Sequence, residues 1–306
     1  MKGLFLHSLL ATIVLLLLAA PAAAQEPEGE FLICYPNAPG SARSAGPIMS
    51  RFGQFLSDQT GRSLRARYFN ALAPGEAWLK DHNPSEGIVS LAVFLRWQRQ
   101  PGLEAIAHAE RGGSSEERYR LLVRRDAAFK TLTDLKTLKR PARIWSAHLD
   151  DPRFATNVVF GGKLRVKDVR HAKRVVPAFA GGRIRIVSTT RALSVLRRLQ
   201  RGQDYKGEPV DAVLVDATVW RGLQQLKRYK GVFRVLYTSP VLPTPPVVRF
   251  RSGDVKGSQA LAKVLFGMKS LTEGAAIMKS IQVSAFTPPQ AKRLAELVKL
   301  YEAKVE

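Results

Sequence analysis

Asp216 closes the apolar run of "VDAVLVDATVW" (residues 210–220), where a strand should hand over to a helix. The carboxyl end of a strand in an α/β sheet is where ligands bind, and a carboxylate there accepts hydrogen bonds from an amine or a hydroxyl. Asp211, at the strand entry, reads as a solvated turn residue. Other polar side chains recur at strand ends or helix starts. Tyr35 and Asn37 follow the first apolar run, and Ser41 and Ser44 precede the first long helix. Phe94, Arg96 and Trp97 follow "GIVSLAV", and Ser146 and His148 follow "RIW". Thr189 and Thr190 precede the helix of the 190s, and Thr238 follows a late strand. Such a set can hold a small polar solute by hydrogen bonds. Each member also has a plainer role: Asp216, Thr189 and Thr190 as helix caps, Trp97 as core, Ser41 and Ser44 as linker.

Covalent chemistry finds little support. The chain lacks a G-x-S-x-G elbow, a P-loop and a paired-histidine motif. The single cysteine, Cys34, lies inside an apolar strand, where a thiolate is disfavoured. His148 has no histidine neighbour at ligand spacing, so neither metal nor cofactor is expected. The expectation is a binding protein, not an enzyme.

Alternating strands and helices must position these residues. Phe31–Tyr35, Leu64–Phe69, Gly87–Leu95, Leu103–Ala109 and Tyr119–Val123 read as strands. So do Arg143–Trp145, Ile184–Val187, Val210–Val215 and Val232–Tyr237. Pro36–Gly46 reads as a loop. Ile48, Phe52, Phe55 and Leu56 then share one helical face that Gly61 closes. A short helix is predicted over Pro74–Asp81, another capped by Thr131 or Thr133, and a third opened by Asp151-Pro152 and closed by Gly161-Gly162. Ser188, Thr189 or Thr190 should cap a helix that turns Val195, Leu196 and Leu199 inward and Arg197, Arg198 and Arg201 outward. Pro240, Pro243, Pro245 and Pro246 make a stiff extended connection. Two final helices should pack back on the first strand group. The alternation implies an α/β fold with mostly parallel sheets.

Residues 1–24 are expected to be a secretory signal peptide. Lys2 is followed by an apolar run and then by Ala22-Ala23-Ala24, predicting cleavage after Ala24 and a periplasmic product. One cysteine excludes an internal disulfide, and 45% hydrophobic residues suit a folded chain. The formal net charge is +23, with the basic residues scattered and not interleaved with aromatics. That pattern argues against nucleic acid and suits electrostatic contact with an anionic membrane or envelope surface.

The motif order resembles a known family. The loop "YPNAPGSARSAGPIMSRFGQFLSDQTGRSLRARYF", then "GIVSLAVFL", "YRLLVRRDAAFKTLTDLK", "GQDYKGEPVDAVLVD" and "VLYTSPVLPTPPVV" look like type 2 periplasmic substrate-binding proteins of ABC importers, in the phosphonate, phosphite and sulfonate branch. The resemblance implies two doubly wound α/β lobes joined by two crossing strands, here Tyr119–Arg124 and Leu236–Pro246. Lobe 1 is then residues 25–118 plus 243–306, and lobe 2 residues 119–242. It further implies a monomer that closes on a small, anionic solute and delivers it to an ABC permease. One segment departs from the family pattern. Where relatives place a Ser/Thr-rich anion loop, this chain reads "SAHLDDPRF", and Asp150 and Asp151 would repel a dianion unless they face solvent. Asp216 fits a ligand that carries an amine or hydroxyl besides any acidic group. An alternative is a sensory or envelope-interaction protein that keeps the fold without transport.

Overall fold

Two sheets and a narrow paired connection carry the chain. They are seen in a computed structural model that describes residues 29–36, 41–98, 102–146, 149–171, 174–177, 181–189, 191–204 and 206–304. The expected leader lies outside the described residues, as do Asn37, His148 and Thr190. No helix among the described residues is long and apolar enough to cross a membrane.

The first group of strands is β1 (Gly29–Cys34), β2 (Leu64–Phe69), β3 (Glu86–Val89) and β4 (Glu104–Glu110). Helices α1 (Ala42–Thr60), α2 (Leu72–Asp81) and α3 (Leu91–Trp97) connect them. The short β5 (Glu116–Glu117) leads out, and β6 (Arg120–Arg124) enters the second group. There follow α4 (Leu132–Lys136), β7 (Ala142–Ser146), a π-helical segment (Phe154–Val159), β8 (Val166–His171) and β9 (Arg174–Pro177). Then come β10 (Ile184–Ser188), α5 (Ala192–Arg201), β11 (Ala212–Val215), α6 (Ala217–Gln225) and β12 (Phe233–Thr238). The chain returns through β13 (Leu242–Pro243) and β14 (Pro246–Arg249). It ends with α7 (Val255–Gly267), α8 (Thr272–Ser280), β15 (Ala285–Thr287) and α9 (Ala291–Glu302).

The first sheet has the order β15-β4-β14-β3-β1-β2 and the second β12-β6-β11-β7-β10-β8-β9. β1 pairs in parallel with both β2 and β3, and β7 with both β10 and β11. Returning β14 inserts antiparallel between β3 and β4. Between the sheets, β5 and β13 pair antiparallel, Glu117 opposite Leu242 and Glu116 opposite Pro243. The outgoing and returning chains thus cross side by side, joining two doubly wound α/β lobes. Pro243 is accommodated because a two-stranded ribbon is all edge.

β1 shows how the sequence dictates the layers. Successive side chains of a strand point to opposite faces. Phe31 and Ile33 enter the cluster with Phe52, Phe55 and Leu56 of α1. Leu32 and Cys34 enter the opposite cluster with Leu91, Phe94 and Trp97. A strand covered on both sides reads as the unbroken apolar run "FLIC". Each large side chain so buried contributes about 1.5–3 kcal/mol.

Several sequence expectations change. The Pro36–Gly46 loop is shorter, because Ser41 caps α1: its Oγ accepts the Ser44 N–H, and the Ser44 hydroxyl accepts the Ser41 N–H in return. Gly61 ends α1 in the left-handed conformation, as its type suggests. The predicted strand Gly87–Leu95 stops at Val89. Ser90 Oγ accepts the Val93 N–H at 3.2 Å and starts α3 instead. An apolar run buried on every side carries no period to separate strand from helix. The cap of α5 is Arg191, without a side-chain bond, and not Ser188, Thr189 or Thr190. The β8–β9 hairpin hides in the charged text "VKDVRHAKRVVP". The last helix also reaches the second lobe, where Asn157 Nδ2 donates to the carbonyls of Tyr301 and Ala303.

Candidate functional site

Two groups of charged side chains lie where the lobes meet. The first surrounds the connection. Tyr35 follows β1, its N–H donating to the Phe69 carbonyl. Arg111 follows β4, with its guanidinium carbon 4.8 Å from the Tyr35 ring centroid and its Nη2 donating to Gln282 Oε1 at 2.9 Å. Glu117 comes from β5, Tyr119 from just before β6 and Asp216 from the end of β11. Tyr35, Arg111 and Glu117 are half-buried, while Tyr119 and Asp216 are buried. First sheet, connection and second sheet therefore each contribute at least one member.

The members feel one another. Burial pushes the Glu117 carboxyl up to about 8, the nearby Asp216 charge adds to the rise, and Arg111 opposes it. Burial also raises the Tyr35 phenol, against Arg111. The Tyr35 environment, ahead of the cost of burial, holds the Arg111 guanidinium charged. Asp216 Oδ1 accepts the Val219 N–H at 2.7 Å, so it caps α6. Capping and facing the seam are not alternatives here: a carboxylate at a helix start after a sheet strand does both.

The second group lies toward the chain end. Asp151 is buried, and its Oδ1 accepts the N–H groups of Arg153 and Phe154. Its Oδ2 accepts the Tyr301 hydroxyl at 2.9 Å. The Arg153 guanidinium sits 5.7 Å from the Tyr301 ring. Asp150 is half-buried, and burial, then Asp151, push its carboxyl up to about 7, opposed by Arg96 and reinforced by Glu76. Neither aspartate points freely to solvent.

The remaining predicted residues fall as follows. Arg96 and Trp97 lie on the last turn of α3, not at a strand end. Arg96 Nε donates to Glu76 Oε1 at 2.7 Å, and buried Trp97 donates to the same oxygen and packs on Phe250. Ser146 is wholly buried and donates to the Leu214 carbonyl inside the second sheet. Thr189 Oγ1 accepts the Arg191 N–H, and Thr238 is exposed at the end of β12, opposite Arg120. Ser41 caps α1. Of the predicted residues, Tyr35 and Asp216 are brought together. Sequence reasoning missed Arg111 and Glu117. Arg111 was findable, since it follows "EAIAHAE" as Tyr35 follows its own strand. Glu117 carried no signal, because a two-residue strand has no pattern.

The sequence and the fold match known proteins. A family model described as "ABC transporter, phosphonate, periplasmic substrate-binding protein" matches residues 48–294. The chain belongs to this family. Its members are binding proteins, not enzymes; they take small molecules and work with an ABC permease. Similar solved structures include a Xanthomonas citri protein bound to ATP, 14% identical with a TM-score of 0.68, covering 90% of this chain and 97% of that one. A binding component of an ABC phosphonate transporter from Pseudomonas aeruginosa is 15% identical with a TM-score of 0.60, covering 89% and 84%. PhnD1 of Prochlorococcus marinus, solved with methylphosphonate, is 11% identical with a TM-score of 0.58, covering 89% and 97%. At such identities these likenesses speak for the two-lobed fold alone. Among curated proteins none matches the chain.

Proposed function

We propose that the chain is an exported solute-binding protein whose lobes, residues 25–118 plus 243–306 and residues 119–242, close on a small ligand at the Tyr35–Arg111–Glu117–Asp216 group and present it to an ABC permease. One observation carries this reading: half-buried and buried polar side chains from both sheets and from the connection meet in one place. Lobe closure alters that meeting point more than any other, so a ligand bound there is coupled to the motion. The one guanidinium of the group is balanced by the Asp216 charge, and burial keeps Glu117 largely protonated at neutral pH, so no surplus positive charge is left for a ligand. A plain dianion is therefore disfavoured. A ligand whose amine or hydroxyl donates to Asp216, with any phosphonate or sulfonate group as a second handle, fits best. An amine-to-carboxylate hydrogen bond of this type contributes about 1.5–3 kcal/mol.

Calorimetry with 2-aminoethylphosphonate, ethylphosphonate, phosphite, phosphate and taurine tests the assignment. The amine-bearing phosphonate should bind at least tenfold tighter than ethylphosphonate, and Asp216→Asn should abolish that preference. No heat from any of the five, with no compaction by small-angle scattering, overturns it.

A further inference from the structure

The first lobe contains a cavity of about 210 Å³ beside the hinge group. Ile33, Ile48, Met49, Ile88 and Val283, drawn from β1, α1, β3 and the turn before β15, are among the apolar side chains of its wall. Tyr35 and Arg111 also line it. The same two side chains thus border the cavity and also feel the charge of Glu117 and Asp216. We infer that the cavity takes an apolar substituent of the ligand, about the size of a benzyl group, while the polar head stays with Asp216. This rests on the function proposed above and narrows its substrate class to amphiphilic, amine-bearing acids.

Three observations favour an apolar occupant. The exposed surface of the cavity is mostly apolar, and apolar cavities of this order accept benzene-sized guests. The charged group on the wall is already engaged: Arg111 stacks on Tyr35 and donates to Gln282 Oε1. Gln282 is held there at a φ of 59°, the one positive φ outside glycine among the described residues. A charged head entering the cavity would lose water and find no uncommitted cation on this wall to replace it. Finally, the wall is left open by small residues. Ala45 and Ala109 both line the space, at positions where a larger side chain would fill it. Unfilled apolar volume costs stability, so a core with no other task would be expected to close it.

The test uses two matched probes and two fillers. Aminomethylphosphonate and its benzyl analogue, 1-amino-2-phenylethylphosphonate, share the polar head and differ only in the apolar group. Toluene probes the cavity without any head. Calorimetry should show the benzyl analogue binding at least tenfold tighter, and toluene should raise the thermal unfolding midpoint. Ala45→Phe should bring the two phosphonates within twofold and remove the toluene shift. Ala109→Val serves the same end should the helix variant fold poorly. Equal affinities in the unsubstituted protein, or a benzyl preference that survives both fillers, overturn the inference. A toluene shift that the fillers abolish, with neither phosphonate binding, keeps the cavity as an apolar site and fails the head-group reading instead. No toluene shift with no phosphonate binding fails both.

Discussion

Asp216 and Asp151 are the same device put to different ends. Each follows a parallel strand of the second sheet, and each accepts N–H groups at the start of a helical segment. What differs is the element of the other lobe that meets it. Asp216 meets Tyr35 and Arg111, side chains at strand ends beside a cavity. Asp151 meets the Tyr301 hydroxyl on the chain's last helix, and neighbouring Asn157 ties down the carbonyls of Tyr301 and Ala303. The first meeting leaves Tyr35, Arg111 and Glu117 half-buried, and on the function proposed above these are the groups a solute would reach. The second gives the carboxylate three donors from within the protein and ties the last helix to the segment after β7. The sign of the charge and the local cap do not distinguish a ligand group from a structural one; the partner lobe does.

The largest effect expected from this contrast is on binding. Asp216→Asn keeps a capping oxygen for the Val219 N–H but loses the negative charge. Affinity for 2-aminoethylphosphonate should fall by about 2 kcal/mol, more than tenfold, with thermal stability nearly unchanged. Asp151→Asn should do the reverse, lowering the unfolding midpoint with affinity held within about twofold, since the buried, thrice-bonded carboxylate has no hydrogen-bond partner in the Tyr35–Arg111–Glu117–Asp216 group. Comparable affinity losses in both variants, read by calorimetry, would erase the distinction.

Much of this contrast could be read from sequence, but not its decisive part. Asp216 was visible because "AVLV" followed by an acid marks a strand end in an alternating chain, and Tyr35 because "FLIC" does the same. The two-lobed fold was visible in the order of such runs. Asp150 and Asp151 were recognised as a departure from the family's anion loop, yet their surroundings were not. Tyr301 is about 150 residues away, and its helical spacing with Leu294, Leu297 and Val298 marked it only as core. Arg96 and Trp97 were placed just past a strand end because "GIVSLAVFL" is apolar but for Ser90, and only the cap at Ser90 shows that the helix starts there. Periodicity reports which face a residue takes within its own element. It is silent about which distant element comes to lie against that face.

A smaller effect should follow from loosening the Asp151–Tyr301 tie. Tyr301→Phe removes one hydroxyl and leaves Asp151 Oδ2 without that donor. The cost should be about 1–1.5 kcal/mol of stability, read as a lower midpoint of unfolding. If the bond also holds the lobes together, small-angle scattering of the unliganded variant should report a larger radius of gyration. Unchanged stability and unchanged radius would mean that the Tyr301 hydroxyl contributes no tie between the lobes.

The smallest effect concerns the two acids that hold protons, one in each group. Glu117 is pushed up to about 8 and Asp150 to about 7, in both cases chiefly by burial. A carboxyl whose folded value is raised contributes stability that is fully present below its unfolded value, near 4, and is lost as pH climbs to the folded one. Asparagine or glutamine imitates the protonated form. Asp150→Asn should therefore match the unsubstituted protein near pH 4 and exceed it by about 1 kcal/mol at pH 8, after discounting for relaxation around a half-buried group. Glu117→Gln should show the same trend, its gain levelling off about one pH unit higher. The two should part company on ligand. Asp150→Asn leaves the affinity for 2-aminoethylphosphonate within about twofold at pH 8, whereas Glu117→Gln weakens it, because the negative charge that Glu117 carries in about half of the molecules at that pH no longer faces the amine. Equal ligand responses from the pair would show that the seam behaves as one electrostatic unit, and the separation into a binding group and a structural tie would have to be abandoned.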